Sequence, residues 1–355
     1  MAARSSAPVI GALCGTSNPN ESSSTSSKDT ASESGPFSAH HWSISTGYRY
    51  QRSHRHFVGT TEQTQREKLG TEVVNDINLF DVGLTYKFNP RWSITLSVPI
   101  MNAKRIYDHE LFKVFLHIPN APDQVTHSTG IGDVGLSAQF WVIRPPSETG
   151  HNLAFSFGTV FPTGDYRVKD TVQTVTGPQT VYVDQSIQLG AGGYGISLGS
   201  QAYQRVGRAV LYASGTYLIT PQESNGTPNA SLAGVKIAPN PLTSTMSIPD
   251  QYLADGGVAY PFPGVRGLAV KAGLRYEGVK VRDLIGGSLG FRRPGYALSV
   301  EPGFQYERAK DTWSLNVPIA VQRNRKRSVP DLLQGKAGDA AFADYLITVG
   351  YSRSF

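Results

Sequence analysis

The segment 91-RWSITLSVPI-100 alternates large apolar and small polar side chains, and it decides the fold. One face of this extended chain carries Trp92, Ile94, Leu96, Val98 and Ile100; the opposite face carries Ser93, Thr95 and Ser97. A period of two residues predicts a β-strand with one apolar face and one polar face.

The same alternation recurs along the chain and predicts about twelve strands. Their ranges are 42–52, 76–88, 91–100, 132–143, 152–161, 188–204, 208–219, 251–262, 267–277, 296–307, 312–322 and 345–355. Each strand is long enough to cross a bilayer at a tilt, which takes about 9–11 residues.

The composition supports an all-β chain. Among 355 residues there are 37 glycines and 22 prolines, so few segments could form a long helix. The mean hydropathy is −0.25 and no run of 18 apolar residues occurs, which excludes a transmembrane helix. The single cysteine, Cys14, excludes an internal disulfide and a zinc site built on cysteines.

The links between the predicted strands alternate strictly in length. Short links are 88–91, 144–150, 205–208, 262–267 and 307–311, and long links are 53–75, 102–129, 163–186, 220–249, 278–295 and 323–342. This alternation predicts a transmembrane, antiparallel, up-and-down β-barrel in a bacterial outer membrane, with tight periplasmic turns and long outer loops. The terminal aromatic, Phe355, is typical of barrels that are inserted by the barrel-assembly machinery.

The polar face of the strands predicts a hydrated lumen, because twelve strands enclose more space than ordinary side chains fill. By parity with the apolar positions, the lumen-facing candidates are Arg49, Gln51, Asp81, Lys87, Asp133, Gln139, Lys271, Arg275, Glu277, Glu301, Gln305, Glu307 and Asn316. Both signs of charge occur in this set.

Three patches, residues 130–142, 155–166 and 301–324, resemble an outer-membrane barrel family named for the meta-cleavage pathway of phenol degradation. The more specific parts are 130-GIGDVGL-136 and 161-FPTGD-165. The resemblance implies a transporter associated with the catabolism of aromatic compounds, and it implies no catalytic residues. The long 220–249 loop departs from the family pattern.

The first 40 residues differ from the rest. The segment 21-ESSSTSSKDTASESG-35 is rich in Ser and Thr, which predicts disorder over 1–40, with the barrel occupying 41–355. Residues 1–15 have the form of a degenerate export signal. Whether 1–40 are removed or plug the lumen stays open.

The loop 282-RDLIGGSLGFRRPG-295 combines apolar residues, glycines and arginines. It is expected to fold inward and constrict the lumen, and the constriction candidates are Leu284, Ile285, Phe291, Arg292 and Arg293. The alternative is an extra outer hairpin that packs on neighbouring loops.

The remaining expectations concern partners. Basic clusters in the long links, such as 323-RNRKR-327, would contact lipopolysaccharide phosphates, and they do not form one face suited to nucleic acid. The pairs His40–His41 and His54–His56 are separated by a strand, so no metal site is expected, and no cofactor is expected.

The sequence thus predicts a non-enzymatic channel for passive uptake of small, hydrophobic or aromatic molecules. A lipid-acting hydrolase and a plugged structural or adhesive barrel remain as alternatives.

Overall fold

A computed structural model of the 355-residue chain describes residues 41–145, 150–229 and 240–355. The expected disordered segment and export signal fall on residues 1–40, which lie outside the described residues. No helix in the described ranges is long and apolar enough to cross a membrane.

Twelve long strands form the wall of the molecule. They are β1 Trp42–Val58, β2 Val73–Lys87, β3 Trp92–Tyr107, β4 in two segments Gln124–Ile131 and Gly135–Trp141, β5 His151–Val160, β6 Gly195–Val206, β7 Ala209–Ile219, β8 Gln251–Pro261, β9 Leu268–Val279, β10 Gly295–Arg308, β11 in two segments Asp311–Asn316 and Ile319–Arg325, and β12 Ala340–Ser354. Each pairs antiparallel with the next strand along the chain.

The sheet closes on itself because β12 also pairs with β1. The register runs from Ser43 opposite Ser354 to Phe57 opposite Ala340, and the amide of Phe355 donates to the carbonyl oxygen of Trp42 at 3.0 Å. The predicted twelve-stranded antiparallel barrel is therefore confirmed. Closure satisfies the backbone hydrogen bonds between strands, as hydrocarbon surroundings require.

The connections alternate between short and long, with all long connections at one end of the barrel. Several strands extend further toward that end than their alternation predicts; β1 reaches Val58 and β3 reaches Tyr107. The predicted strand 188–204 is wrong at its start, because β6 begins at Gly195 and Gln185–Ile187 form a 3-10 turn.

The long connections carry their own secondary structure. Their described parts contain three short helices, α1 Thr64–Lys68, α2 His109–Leu116 and α3 Val329–Leu333. Two small hairpins pair Lys169–Thr174 with Gly177–Tyr182 and Ser224–Pro228 with Thr245–Ser247. We call this assembly of loops the outer cap.

The outward face of the barrel is an apolar belt. Large side chains such as Phe80, Leu96, Phe157, Leu198 and Leu274 are exposed there. Burying this belt in hydrocarbon removes its apolar surface from water, which places the barrel in a bacterial outer membrane.

Aromatic side chains contact one another at both margins of the belt. The ring centroids of Trp92 and Phe140 are 4.7 Å apart near the short turns, and those of Tyr252 and Tyr276 are 5.3 Å apart near the outer cap. Such girdles mark the two membrane interfaces. Trp141 is different: it is buried on the inner face, where its ring contacts Tyr203.

Candidate solute-binding site

A cavity of about 470 Å³ lies in the outer half of the barrel, under the outer cap. Its size falls within the range of small-molecule sites. Strands and cap loops both line it, and apolar side chains form much of the wall. These are Ile77, Leu79, Met101, Val160, Leu189, Leu218, Ile248 and Val279.

One part of this wall lies where the 3-10 turn Gln185–Ile187 meets β2 and β3. Ile77, Met101 and Ala103 pack with Val183 and Ile187 into a buried apolar cluster, and Leu189 packs against it. Ile77 stands opposite Ala103, and Leu79 stands opposite Met101 in the ladder of β2 with β3. The cavity therefore has a fixed apolar side, supported by two paired strands.

The outer end of the cavity carries arginines. Arg66, Arg105 and Arg293 line it, together with the carboxyl group of Asp339. Arg105 lies on β3 directly outward of Ala103, so the basic end and the apolar wall belong to the same strand face.

One buried aspartate joins two of these arginines. Arg293 donates to both carboxylate oxygens of Asp184 at 2.9 and 2.7 Å, and Arg105 lies 3.5 Å from the same carboxylate. Burial alone would raise the pKa of Asp184, but Arg105 and Arg293 outweigh burial and hold that pKa well below its usual range. Asp184 therefore stays ionised and fixes both guanidinium groups.

A second set of paired charged side chains, centred on Asp339, also lines the cavity. The side chain of His56 donates from Nδ1 to Asp339 at 2.9 Å, and its Nε2 accepts from the amide of Val73 at 2.9 Å. Asp339 also pairs with Arg66. Burial would raise the pKa of Asp339, but the hydrogen bond from His56 and the positive charge of Arg66 hold it below its usual range. Both ring nitrogens of His56 are thus engaged in structural bonds.

Below the cavity, charged side chains of both signs fill the middle of the barrel. Arg275 donates to Glu277 at 2.8 Å and lies 4.0 Å from Glu301, and all three are nearly buried. Nearby, the hydroxyl of Ser214 donates to Asp255 at 2.6 Å. We call these residues, with Asp81 and Lys271, the charge layer.

The predicted lumen-facing residues are distributed over three levels. Arg49 and Asp133 line the cavity, where Asp133 accepts from the amides of Gly164 and Ala191. The middle level holds Asp81, Lys271, Arg275, Glu277 and Glu301. Lys87, Gln139 and Glu307 lie toward the short turns, since they are near the inner ends of their strands.

The five constriction candidates are not brought together. Leu284 and Ile285 are exposed, at 67% and 49%, and only Arg293 lines the cavity. The amide of Phe291 donates to the carbonyl oxygen of Thr245, so this loop packs on the 220–250 connection. Arg292 is fully buried within that contact. The cap residues that do line the cavity come mainly from 185–193 and 246–249.

Sequence reasoning missed helix α2 and the acid–histidine group at its start. Asp108 caps the helix by accepting from the amide of Glu110, and Leu111, Phe115 and Leu116 on the helix line the cavity. The sequence does contain a signal for this helix, because apolar residues at positions 111, 112, 115 and 116 follow an aspartate that can cap it. Ligand atoms of Asp108, His109 and Asp123 lie within 4.8 Å of one another, an exposed arrangement that could hold a cation.

Comparison with known proteins establishes the fold. The structure is similar to the COG4313 outer membrane channel from Pseudomonas putida F1, with a TM-score of 0.54 and 12% identity over 91% of this chain and 100% of that chain. Weaker matches include the translocator domain of the autotransporter NalP from Neisseria meningitidis (TM-score 0.46, 12% identity, 90% of each chain) and the Pseudomonas putida toluene transporter TodX (TM-score 0.42, 10% identity, 90% of this chain and 91% of that chain). No family model and no curated protein matches the sequence.

Proposed function

We propose that the protein is an outer-membrane channel for passive uptake of small hydrophobic or aromatic molecules. The observation that carries this proposal is the cavity of about 470 Å³, whose apolar wall lies directly beneath the outer cap. The free energy of an apolar solute falls when it leaves water for such a wall, by roughly 25 cal/mol per Å² of buried apolar surface. The resemblance to the barrel family of phenol degradation supports an aromatic solute.

The charge layer would then control passage toward the periplasm. Arg275 between Glu277 and Glu301 presents fixed charges of both signs on the route below the cavity. Fixed charges in a narrow lumen select permeant molecules by their charge and by the water they carry. We also propose that the loop 282–295 contributes to the constriction through Arg293, its cavity-lining member.

Two partner proposals accompany the transport role. In the 323–327 cluster Arg323 and Arg325 are buried, so only its exposed members, Lys326 and Arg327, would contact lipopolysaccharide phosphates. Phe355, which lies at the closing seam, would serve recognition by the barrel-assembly machinery. The placement of these residues at the outer and inner margins of the barrel supports both proposals.

Single-channel recording of the refolded protein in a planar bilayer tests the transport role. We expect steady conductance that a neutral phenol or toluene blocks reversibly. In Leu189→Trp, which fills the cavity, the block should weaken strongly; in Leu153→Trp, which adds bulk on the lipid-facing side, it should persist. A folded barrel without conductance and without solute binding would contradict the proposal and favour a plugged structural barrel.

A further inference from the structure

We propose that the solute is an amphipathic monoanion, whose carboxylate binds at Arg105 and Arg293 while its apolar body lies against the wall formed by Ile77, Leu79 and Met101. This inference rests on the proposed channel function and narrows its substrate class. It makes the arginine end of the cavity a recognition site for an acid group.

The charges around the outer end of the cavity do not balance. Arg66, Arg105 and Arg293 line that end, whereas Asp184 and Asp339 are the carboxylates that pair with them. Three positive charges against two negative charges leave a net charge of about +1 on a largely buried surface. Charges in such surroundings are screened less than charges in water, so a single anion is favoured there.

The sharing of Asp184 explains where the anion would bind. One carboxylate faces two guanidinium groups, and the other partners of Arg105 are neutral: the hydroxyl of Tyr107 at 2.6 Å, the side-chain oxygen of Asn75 at 2.7 Å and the hydroxyl of Ser186 at 3.2 Å. A guanidinium group has five N–H donors in a planar fork that matches a carboxylate. The carboxylate of a bound solute would therefore neutralise the positive charge that remains when Arg105 and Arg293 share Asp184.

The ladder of β2 with β3 fixes the direction of the bound molecule. Asn75 stands opposite Arg105, Ile77 opposite Ala103, and Leu79 opposite Met101, so the apolar wall begins one pleat inward of the arginine. From Arg105 to Met101 the strand rises by about 13 Å. An acid group with an apolar body of that length, such as a phenylalkanoate, would contact both regions at once.

Access from outside fits the same class of molecule. The guanidinium carbon of Arg66 lies 5.0 Å from the ring centroid of Phe115, which is half exposed on α2 and lines the cavity. The cavity mouth thus presents a cation and an aromatic ring side by side. These groups would meet the two ends of an amphipathic anion in turn.

Isothermal titration of the purified full-length barrel with 4-phenylbutyrate and with 4-phenylbutyramide tests the inference. The two probes have nearly the same shape and differ in charge. We expect the acid to bind about tenfold more tightly than the amide, because a hydrogen bond to a charged group is lost with the amide. Raising the salt concentration should weaken binding of the acid and leave binding of the amide unchanged.

Two substitutions shift the charge balance in opposite directions. Arg293→Gln should weaken binding of the acid by about tenfold, while Asp184→Asn, which keeps a side-chain oxygen at the same position, should strengthen it. Neither should change binding of the amide. Arg327→Gln, an exposed arginine of the outer cap that does not line the cavity, is the matched control and should bind both probes as the wild type does.

Distinct results separate this inference from the channel proposal. Equal affinity for acid and amide would overturn the inference and leave the channel function standing. Failure of both probes and of neutral phenols to bind would overturn both. Weaker acid binding in Asp184→Asn, with heat-modifiable migration on gels showing a folded barrel, would mean that Asp184 acts only as a structural residue and would also overturn the inference.

Discussion

Arg292 and Asp283 form a fully buried ion pair within one outer loop, joined by two parallel hydrogen bonds of 2.8 and 2.7 Å. Asp283 also accepts from the amide of Asp250, and Arg292 donates to the hydroxyl of Ser247. The pair therefore fastens the 280–294 connection to the 220–250 connection. It belongs to the framework of the outer cap, although the sequence suggested Arg292 as a pore residue.

Replacing Arg292 by glutamine should loosen the outer cap. The change leaves the Asp283 carboxylate buried without its cation, which costs about 3–5 kcal/mol. We expect faster cleavage of the 280–294 connection by protease, with the barrel wall intact. Arg353→Gln removes a half-exposed ion pair with Asp311 near the short turns and should leave the cleavage rate unchanged. Equal rates in both variants would contradict a role of Arg292 in the cap.

The outer cap should lose stability in acid. The pKa values of Asp184 and Asp339 are depressed in the folded protein, so their contribution is complete above the unfolded pKa of about 3.9 and declines as the pH falls below it. Cleavage of the cap by pepsin at stepped pH measures this decline. In Asp184→Asn the dependence on pH below about 4 should be shallower, and an unchanged slope would refute the assignment.

Neutralising Arg275 should change ion selectivity. In Arg275→Gln the acidic groups of Glu277 and Glu301 lose the cation between them, so the charge layer becomes more negative. The reversal potential in a salt gradient should then shift by several millivolts or more toward the value of a cation-selective channel, roughly in proportion to the added negative charge. Arg91→Gln, at an exposed short turn, is the control. A shift of the same size in Arg91→Gln would place selectivity at the barrel mouth.

Gly190→Ala should distort the cavity wall. Gly190 and Gly164 approach so closely that a Cβ on Gly190 would overlap the carbonyl oxygen of Gly164 and the carboxylate of Asp133. The backbone at 185–193 would have to move, and solute binding should fall by about tenfold or more, since one displaced charged hydrogen bond costs that much. Gly215→Ala meets its nearest atom at 3.7 Å and should bind solute normally. Titration with a phenol compares the two variants.

The barrel itself could be predicted from the sequence, because each strand carries its own signal. The alternation in 91–100 and the strict exchange of short and long links depend on neighbouring residues alone. Strand ends near the outer cap were missed, since residues 53–56 are all polar and the two apolar residues that follow, Phe57 and Val58, are adjacent, so no period of two is visible. There the pairing of β1 with β12 supplies the stability that the local pattern lacks.

The candidate site could be predicted only in part. Parity placed Arg49 and Arg275 on the inner face, since a strand fixes which side a residue occupies. Parity carries no information on contacts between loops, such as Arg293 with Asp184, which are 109 residues apart. The expected constriction by Leu284 and Ile285 followed from their apolar character. In the structure both side chains are exposed, in a loop that the Arg292–Asp283 pair anchors.

The pairing of β1 with β12, which closes the barrel, should slow the folding of this protein. Its ladder joins Ser43 to Ser354, so its contacts span about 310 positions of the chain, while the other pairs among the twelve described wall strands join neighbours in sequence. Contacts between such distant residues carry the largest loss of chain entropy and form slowly. Until the seam forms, both of its strands present unpaired edges, and the unfinished sheet is exposed to pairing with other chains.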